Sequence, residues 1–236
     1  MNNVKFVATV GAVAAATLGL AAWHYQSPVA VIPVVIVYHD GALQPGQSSP
    51  SSDRFWTLAV RSDGANMEVN SVPDATGRIQ GVKSLQLQDR YVVVDPFTIS
   101  MSTYKPYRPI VVGGRSCSGK SAGSILGHPV EYVRENKPRT LTERWLAADL
   151  NCLPLREHLI NTESDGRETQ FFREAVSIKP GEPPVEYFEI PSNYEERGPA
   201  EVNSEVEKRF PGHHVISHPE ILDKMQHVYE TDKPPK

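Results

Sequence analysis

No run of lysine or arginine occurs in the 236 residues, where 24 basic side chains are mixed with 28 acidic ones for a net charge of −4. Without a basic stripe, nucleic acid is not an expected partner. Cysteine is nearly missing, with Cys117 and Cys152 the only two. Neither lies near the N-terminus, which excludes a lipidated N-terminal cysteine, and there is no twin-arginine pair. No G-x-S-x-G elbow surrounds Ser116, Ser118 or Ser121, so a serine nucleophile has no setting. Internal repeats are absent, and long helical periodicity is scarce. Twenty prolines and 16 glycines instead favour turns and short elements.

One long uncharged run is present, and it comes first. After Lys5, Phe6 to Ala22 are almost all Ala, Val, Gly and Leu. That is the layout of an export signal or a short N-terminal membrane anchor. Gly19-Leu20-Ala21 offers a small-residue cleavage site, whereas Trp23, His24 and Tyr25 resemble the interfacial belt of an anchor. The next stretch carries Pro28, Pro33, Pro45 and Pro50 and the run Gln44 to Ser52. It reads as a flexible spacer with one extended piece at Val34–Tyr38. The expected organisation is 1–25 signal or anchor, 26–54 spacer, 55–197 antiparallel β domain, and 198–236 short helices with a disordered tail. Beyond a membrane the setting is oxidising, so Cys117 and Cys152 are expected to pair, with two buried free thiols as the alternative.

The candidate strands are Phe55–Arg61, Met67–Val72, Arg90–Asp95, Thr98–Tyr104, Pro129–Glu135, Thr140–Leu146, Leu155–Thr162, Glu168–Lys179 and Val185–Ile190. Asn136-Lys137-Pro138-Arg139 and Ser164-Asp165-Gly166-Arg167 are hairpin turns between them. Consecutive short strands joined by tight turns make an antiparallel sheet. Helices are expected only at Ala200–Arg209 and Pro219–Tyr229.

Gly114 to Ser121 fits the phosphate-loop pattern G-x-x-x-x-G-K-[ST]. In such a loop Gly114 and Gly119 would lend backbone N–H groups, Lys120 would reach the β/γ oxygens and Ser121 would bind magnesium. The chemistry needs a helix directly after Ser121, but Gly123, Gly127 and Pro129 interrupt that stretch. The expected reading is a Gly/Ser loop carrying a disulfide, with a nucleotide-dependent enzyme as the competing one. His213, His214 and His218 are bracketed by Pro211, Gly212 and Pro219 and are expected to be a solvated loop cluster. No metal and no cofactor is expected.

Ile125 to Tyr132 followed by Thr142 to Cys152, with Arg90 to Asp95 and Ser102 to Tyr104 upstream, have a distinctive cadence. This part, about Val82 to Pro191, resembles exported bacterial proteins of uncharacterised family. More broadly, it is similar to the LolA/LolB-like half-barrel superfamily of periplasmic lipoprotein carriers. The resemblance implies a mainly β (α+β) fold, a curved antiparallel sheet or half-barrel with an apolar cavity able to hold acyl chains. It also implies the periplasmic side of a bacterial envelope. Trp56, Tyr132, Trp145 and Phe171 are the candidate cavity residues, although aromatic residues on strands usually form the ordinary core. The expected function is non-enzymatic: a membrane-tethered or periplasmic protein that binds a lipid or other apolar ligand. The alternatives are the nucleotide-dependent enzyme and a structural module that docks an envelope protein partner through a sheet edge.

Overall fold

Val34, Val35, Ile36 and Tyr38 are all buried. A strand covered on both faces shows no polar alternation, which suits it to the middle of a sheet. In the computed structural model, which describes residues 31–43, 45, 53–104, 117–163, 165–209, 211 and 219–232, this segment is the central strand β1 (Val34–Leu43). Its placement corrects the 26–54 spacer. Pro33 and the Pro/Ser run flanking the segment mask a strand whose apolar residues serve both faces.

On one side of β1 an antiparallel meander runs through β2 (Asp53–Val60), β3 (Asn66–Val69), β4 (Lys83–Gln86), β5 (Tyr91–Asp95) and β6 (Ser100–Tyr104). The other side consists of β7 (Lys120–Ile125), β8 (His128–Lys137), β9 (Thr140–Ala147), β10 (Leu153–Thr162) and β11 (Glu168–Pro180), with β11 against β1. A two-residue strand, β12 (Glu195–Glu196), joins the outer edge of β6 in parallel. Two helices follow, α1 (Pro199–Arg209) and α2 (Pro219–Asp232). The fold is mainly β, an open curved sheet of twelve strands with two short helices. The expected hairpins form at Pro138-Arg139 and Asp165-Gly166, where Arg139 and Gly166 adopt the left-handed conformation the turns require.

Elements other than β1 also differ from expectation, the two-residue β12 among them. β4 and β7 were not anticipated, because Lys-Ser-Leu-Gln and Lys-Ser-Ala-Gly-Ser-Ile carry little of the β-branched, aromatic content that marks strands. Val185–Ile190 is no strand; it begins as a single 3-10 turn, Val185–Tyr187. The segment 1–25 and the histidines 213, 214 and 218 lie outside the described residues. Among the described residues no helix is long and apolar enough to cross a membrane.

Two apolar clusters hold the sheet, one on each side of β1. Val34, Ile36 and Tyr38 pack with Trp56, Leu58, Val130, Ala147, Leu155 and Ala175. Val35, pointing the other way, joins Ala59, Met67, Leu85, Val92 and Val94 beneath Tyr187 and Phe188. The segment 181–194 supplies this second cover. Lys83 Nζ fastens it by donating to Tyr187 O (3.1 Å) and Glu189 O (2.7 Å), and partial burial holds the ammonium below its usual pKa. Tyr187 Oη donates to Gly77 O at 3.0 Å, adding a second tie. At the far edge Tyr229 of α2 meets Tyr104 of β6 edge to face, 5.9 Å between centroids.

Candidate functional site

Strand register sorts the side chains of the β1–β2–β8–β11 region onto two faces. Arg54, Asp40, Arg173, Glu157 and Arg144 are successive cross-strand partners, one row over β2, β1, β11, β10 and β9. Each neighbouring residue in sequence points the other way. Phe55, His39, Glu174, Arg156, Trp145, Tyr132 and Lys120 therefore form the adjacent row on the opposite face.

This pleat divides the four candidate cavity aromatics. Trp56 is buried and stacked on Tyr38, with centroids 4.6 Å apart and planes inclined by 13°. The guanidinium of Arg173 lies 4.2 Å from the Trp56 ring centroid, a cation–π contact made at a half-buried site. Phe171 shares that face and is 41% exposed. Tyr132 and Trp145 are paired on the other face, 5.1 Å between centroids, with Arg156 over Trp145 at 5.5 Å. Row parity thus separates Trp56 and Phe171 from Tyr132 and Trp145, while Trp145 also packs against the apolar cluster that holds Trp56 and Tyr38. The alternation was legible, but the register that relates one strand to the next was not.

The Trp56 face contains the cleft. Its volume is about 690 Å³, and its lining includes Ala42, Leu159, Phe171, Arg54, Arg144 and Arg173. Charges of alternating sign cross its floor. Arg173 Nε donates to Asp40 Oδ1 (3.1 Å) and its Nη2 to Oδ2 (3.3 Å), while Nη1 lies 3.8 Å from Glu157 Oε2. Arg144 Nε donates to Glu157 Oε1 (2.7 Å) and its Nη1 to Glu135 Oε1 (3.3 Å). Below the row Tyr38 Oη donates to Pro154 O at 2.8 Å, and burial pushes its phenol pKa well up. Sequence reasoning missed these charged residues because each is an ordinary polar position on its own strand. They become a site only when five strands are aligned.

The opposite face carries a hydrogen-bonded chain. Tyr132 Oη donates to Glu143 Oε1 (2.5 Å), Glu143 Oε2 faces His158 Nδ1 (3.3 Å), and His158 Nε2 faces Gln170 Oε1 (3.2 Å). The Tyr132 hydroxyl, then His158, hold the Glu143 carboxyl below its ordinary value of 4.5. A carboxyl depressed by folding supports the fold fully above its unfolded pKa and loses that support as pH falls through the folded one. Between pH 6 and 3, melting temperature should therefore fall more steeply for the parent protein than for Glu143→Gln, which cannot titrate. Parallel curves would refute a contribution from Glu143.

The phosphate-loop residues are placed otherwise than a nucleotide site needs. Gly114 lies outside the described residues. Lys120 and Ser121 open the exposed strand β7, so a strand rather than a helix follows the motif. The Gly119 N–H donates to Glu131 Oε2 at 2.9 Å, which puts a carboxylate where a phosphate would have to sit. Added side-chain bulk at Gly119 would meet the Tyr132 carbonyl oxygen at 2.7 Å, so close backbone packing is its use here. Cys117 and Cys152 stand at disulfide distance, Sγ–Sγ 2.09 Å with Cα atoms 5.4 Å apart. They join the entry of β7 to the turn between β9 and β10, as the sequence leads one to expect. β7 is a free sheet edge among the described strands, broken by an irregularity between Ser121 and Ser124 that blunts strand pairing. Among the described residues no group of His, Cys, Asp and Glu is arranged to hold a metal ion.

No protein-family profile matches the sequence, and no curated protein matches it. Among solved structures the chain is similar to a LolA superfamily protein from Nitrosomonas europaea. The identity is 9%, covering 67% of this chain and 90% of that one, with a TM-score of 0.36. It is also similar to PNGF-II, at 13% identity over 64% of this chain and 29% of that one, with a TM-score of 0.32. Likenesses of this extent carry no functional argument.

Proposed function

We propose that the protein is a non-enzymatic component of the bacterial envelope, on the periplasmic side, that shelters an apolar or lipid-like group in the cleft on the Trp56 face. The observation carrying this reading is the cleft itself. It offers about 690 Å³, within the range of small-ligand sites, and Phe171 stands exposed beside Leu159 and Ala42 on its wall. The cysteine pair at bonding distance supports an oxidising compartment. Against the nucleotide-dependent reading stand the strand after Gly119 and the carboxylate on its N–H.

Lipid mass spectrometry of the purified full chain, with titration of a polarity-sensitive alkyl fluorophore, tests the proposal. Residues 6–22 are apolar enough to take up the probe themselves, so the informative comparison is with Phe171→Asp. That variant should lower probe affinity about tenfold or more through lost apolar contact. Equal binding by parent and variant, or none by either, would end the proposal.

A further inference from the structure

The charged row in the cleft does not close on itself. The carboxylate of Asp40 receives both donors of Arg173, Glu157 is shared by Arg173 and Arg144, and Glu135 is engaged by Arg144. Arg54, at the β2 end of the row, stands directly opposite Asp40 in register, yet it has no ion pair among the described residues. It is exposed and lines the cleft together with the small residues Gly41 and Ala42. A guanidinium left open at one end and apolar walls from Ala42, Leu159 and Phe171 define a ligand with two parts.

We infer that the ligand is an anionic amphiphile, whose carboxylate or phosphate head is held by Arg54 while its chain lies along Ala42, Leu159 and Phe171. The planar fork of arginine suits both kinds of head because each offers two oxygens to parallel N–H donors. Arg173 and Arg144 are less suited than Arg54, since each guanidinium is already ion-paired with carboxylates of the floor. Those carboxylates also set the orientation, because an anionic head displaced toward Asp40 or Glu157 meets like charge.

This inference rests on the cleft being a binding site for an apolar chain. Its test titrates the full chain with dodecanoate, dodecyl phosphate and dodecanol, with Arg54→Gln and Phe171→Asp alongside the parent. Both anions, or whichever one the site accepts, should bind about tenfold more tightly than the alcohol. Arg54→Gln should reduce anion binding to the alcohol's level and leave alcohol binding unchanged. Comparison of the two anion arms then tells a fatty-acid head from a phosphate head. If all three probes bind alike and Arg54→Gln changes nothing while Phe171→Asp weakens them, the head-group assignment is overturned and the cleft reading survives. If no probe shows binding that depends on Phe171, the cleft reading fails and the inference falls with it.

Discussion

Trp56→Ala should cost about 3–5 kcal/mol in urea unfolding, the largest effect of any single substitution proposed for this chain. Trp56 is 8% exposed, and its removal opens a hole between the Tyr38 ring and the Arg173 guanidinium. Two partners lose their contact face at once. Tyr38 keeps its hydrogen bond to Pro154 O but loses the stacked neighbour, and Arg173 keeps Asp40 but loses the ring beneath it. Trp56→Phe separates packing from polarity. The Nε1 of Trp56 is buried and has no hydrogen-bond partner among the described residues, so phenylalanine gives up no hydrogen bond. It should cost less than about 1.5 kcal/mol and retain most of the stack. An alanine variant within about 1 kcal/mol of the parent would show that the Tyr38–Trp56–Arg173 stack is not a structural centre.

Opening the Cys117–Cys152 link comes next in size. The two residues are 35 apart in sequence, and releasing such a loop in the unfolded chain is worth about 3–4 kcal/mol by the chain-entropy argument. The double variant Cys117→Ser with Cys152→Ser, or reduction by an excess of dithiol, should lower the unfolding midpoint accordingly. The loss should concentrate on β7. That strand is an edge, exposed along most of its length, paired with β8 alone and tied otherwise through the Gly119–Glu131 hydrogen bond. Hydrogen exchange of its amides should quicken before that of β8 or β9. An unchanged midpoint after reduction, or two free thiols titrating in the denatured, unreduced protein, would contradict the pairing.

How far the sequence could be read depended on whether a signal was local. The hairpin at Asp165-Gly166 was legible because two residues determine it. So were the helices at Pro199 and Pro219, each announced by its own proline. β1 was legible only as an extended piece at Val34–Tyr38 inside a spacer, since that stretch lacks polar alternation and is set among prolines. Its identity as a strand comes from β2 and β11, far along the chain. The candidate site suffered most. Arg54, Asp40, Arg173, Glu157 and Arg144 span more than a hundred residues of sequence, and nothing near any of them states that they share a row. Phe171 was named from its aromatic character, and it does line the cleft. Tyr132 and Trp145 were named on the same ground and lie on the other face, because residue type does not reveal register.

The central position of β1 also governs the order in which the molecule can be made. Its one neighbour, β2, is in hand almost at once, but the other, β11, begins at residue 168. Until that strand arrives, Val34 to Tyr38 present an open row of backbone donors and acceptors edged by apolar side chains. Such a stretch is of the kind that recruits other chains. The ladder between β1 and β11 cannot nucleate locally. The sheet should therefore close in milliseconds to seconds rather than microseconds, with the β2–β6 meander formed first and β11 docking late. A newly made chain thus carries this open edge from the outset and covers it only once residues 168–180 have been made. Any factor that shields residues 34–43 in that interval should raise the yield of folded protein.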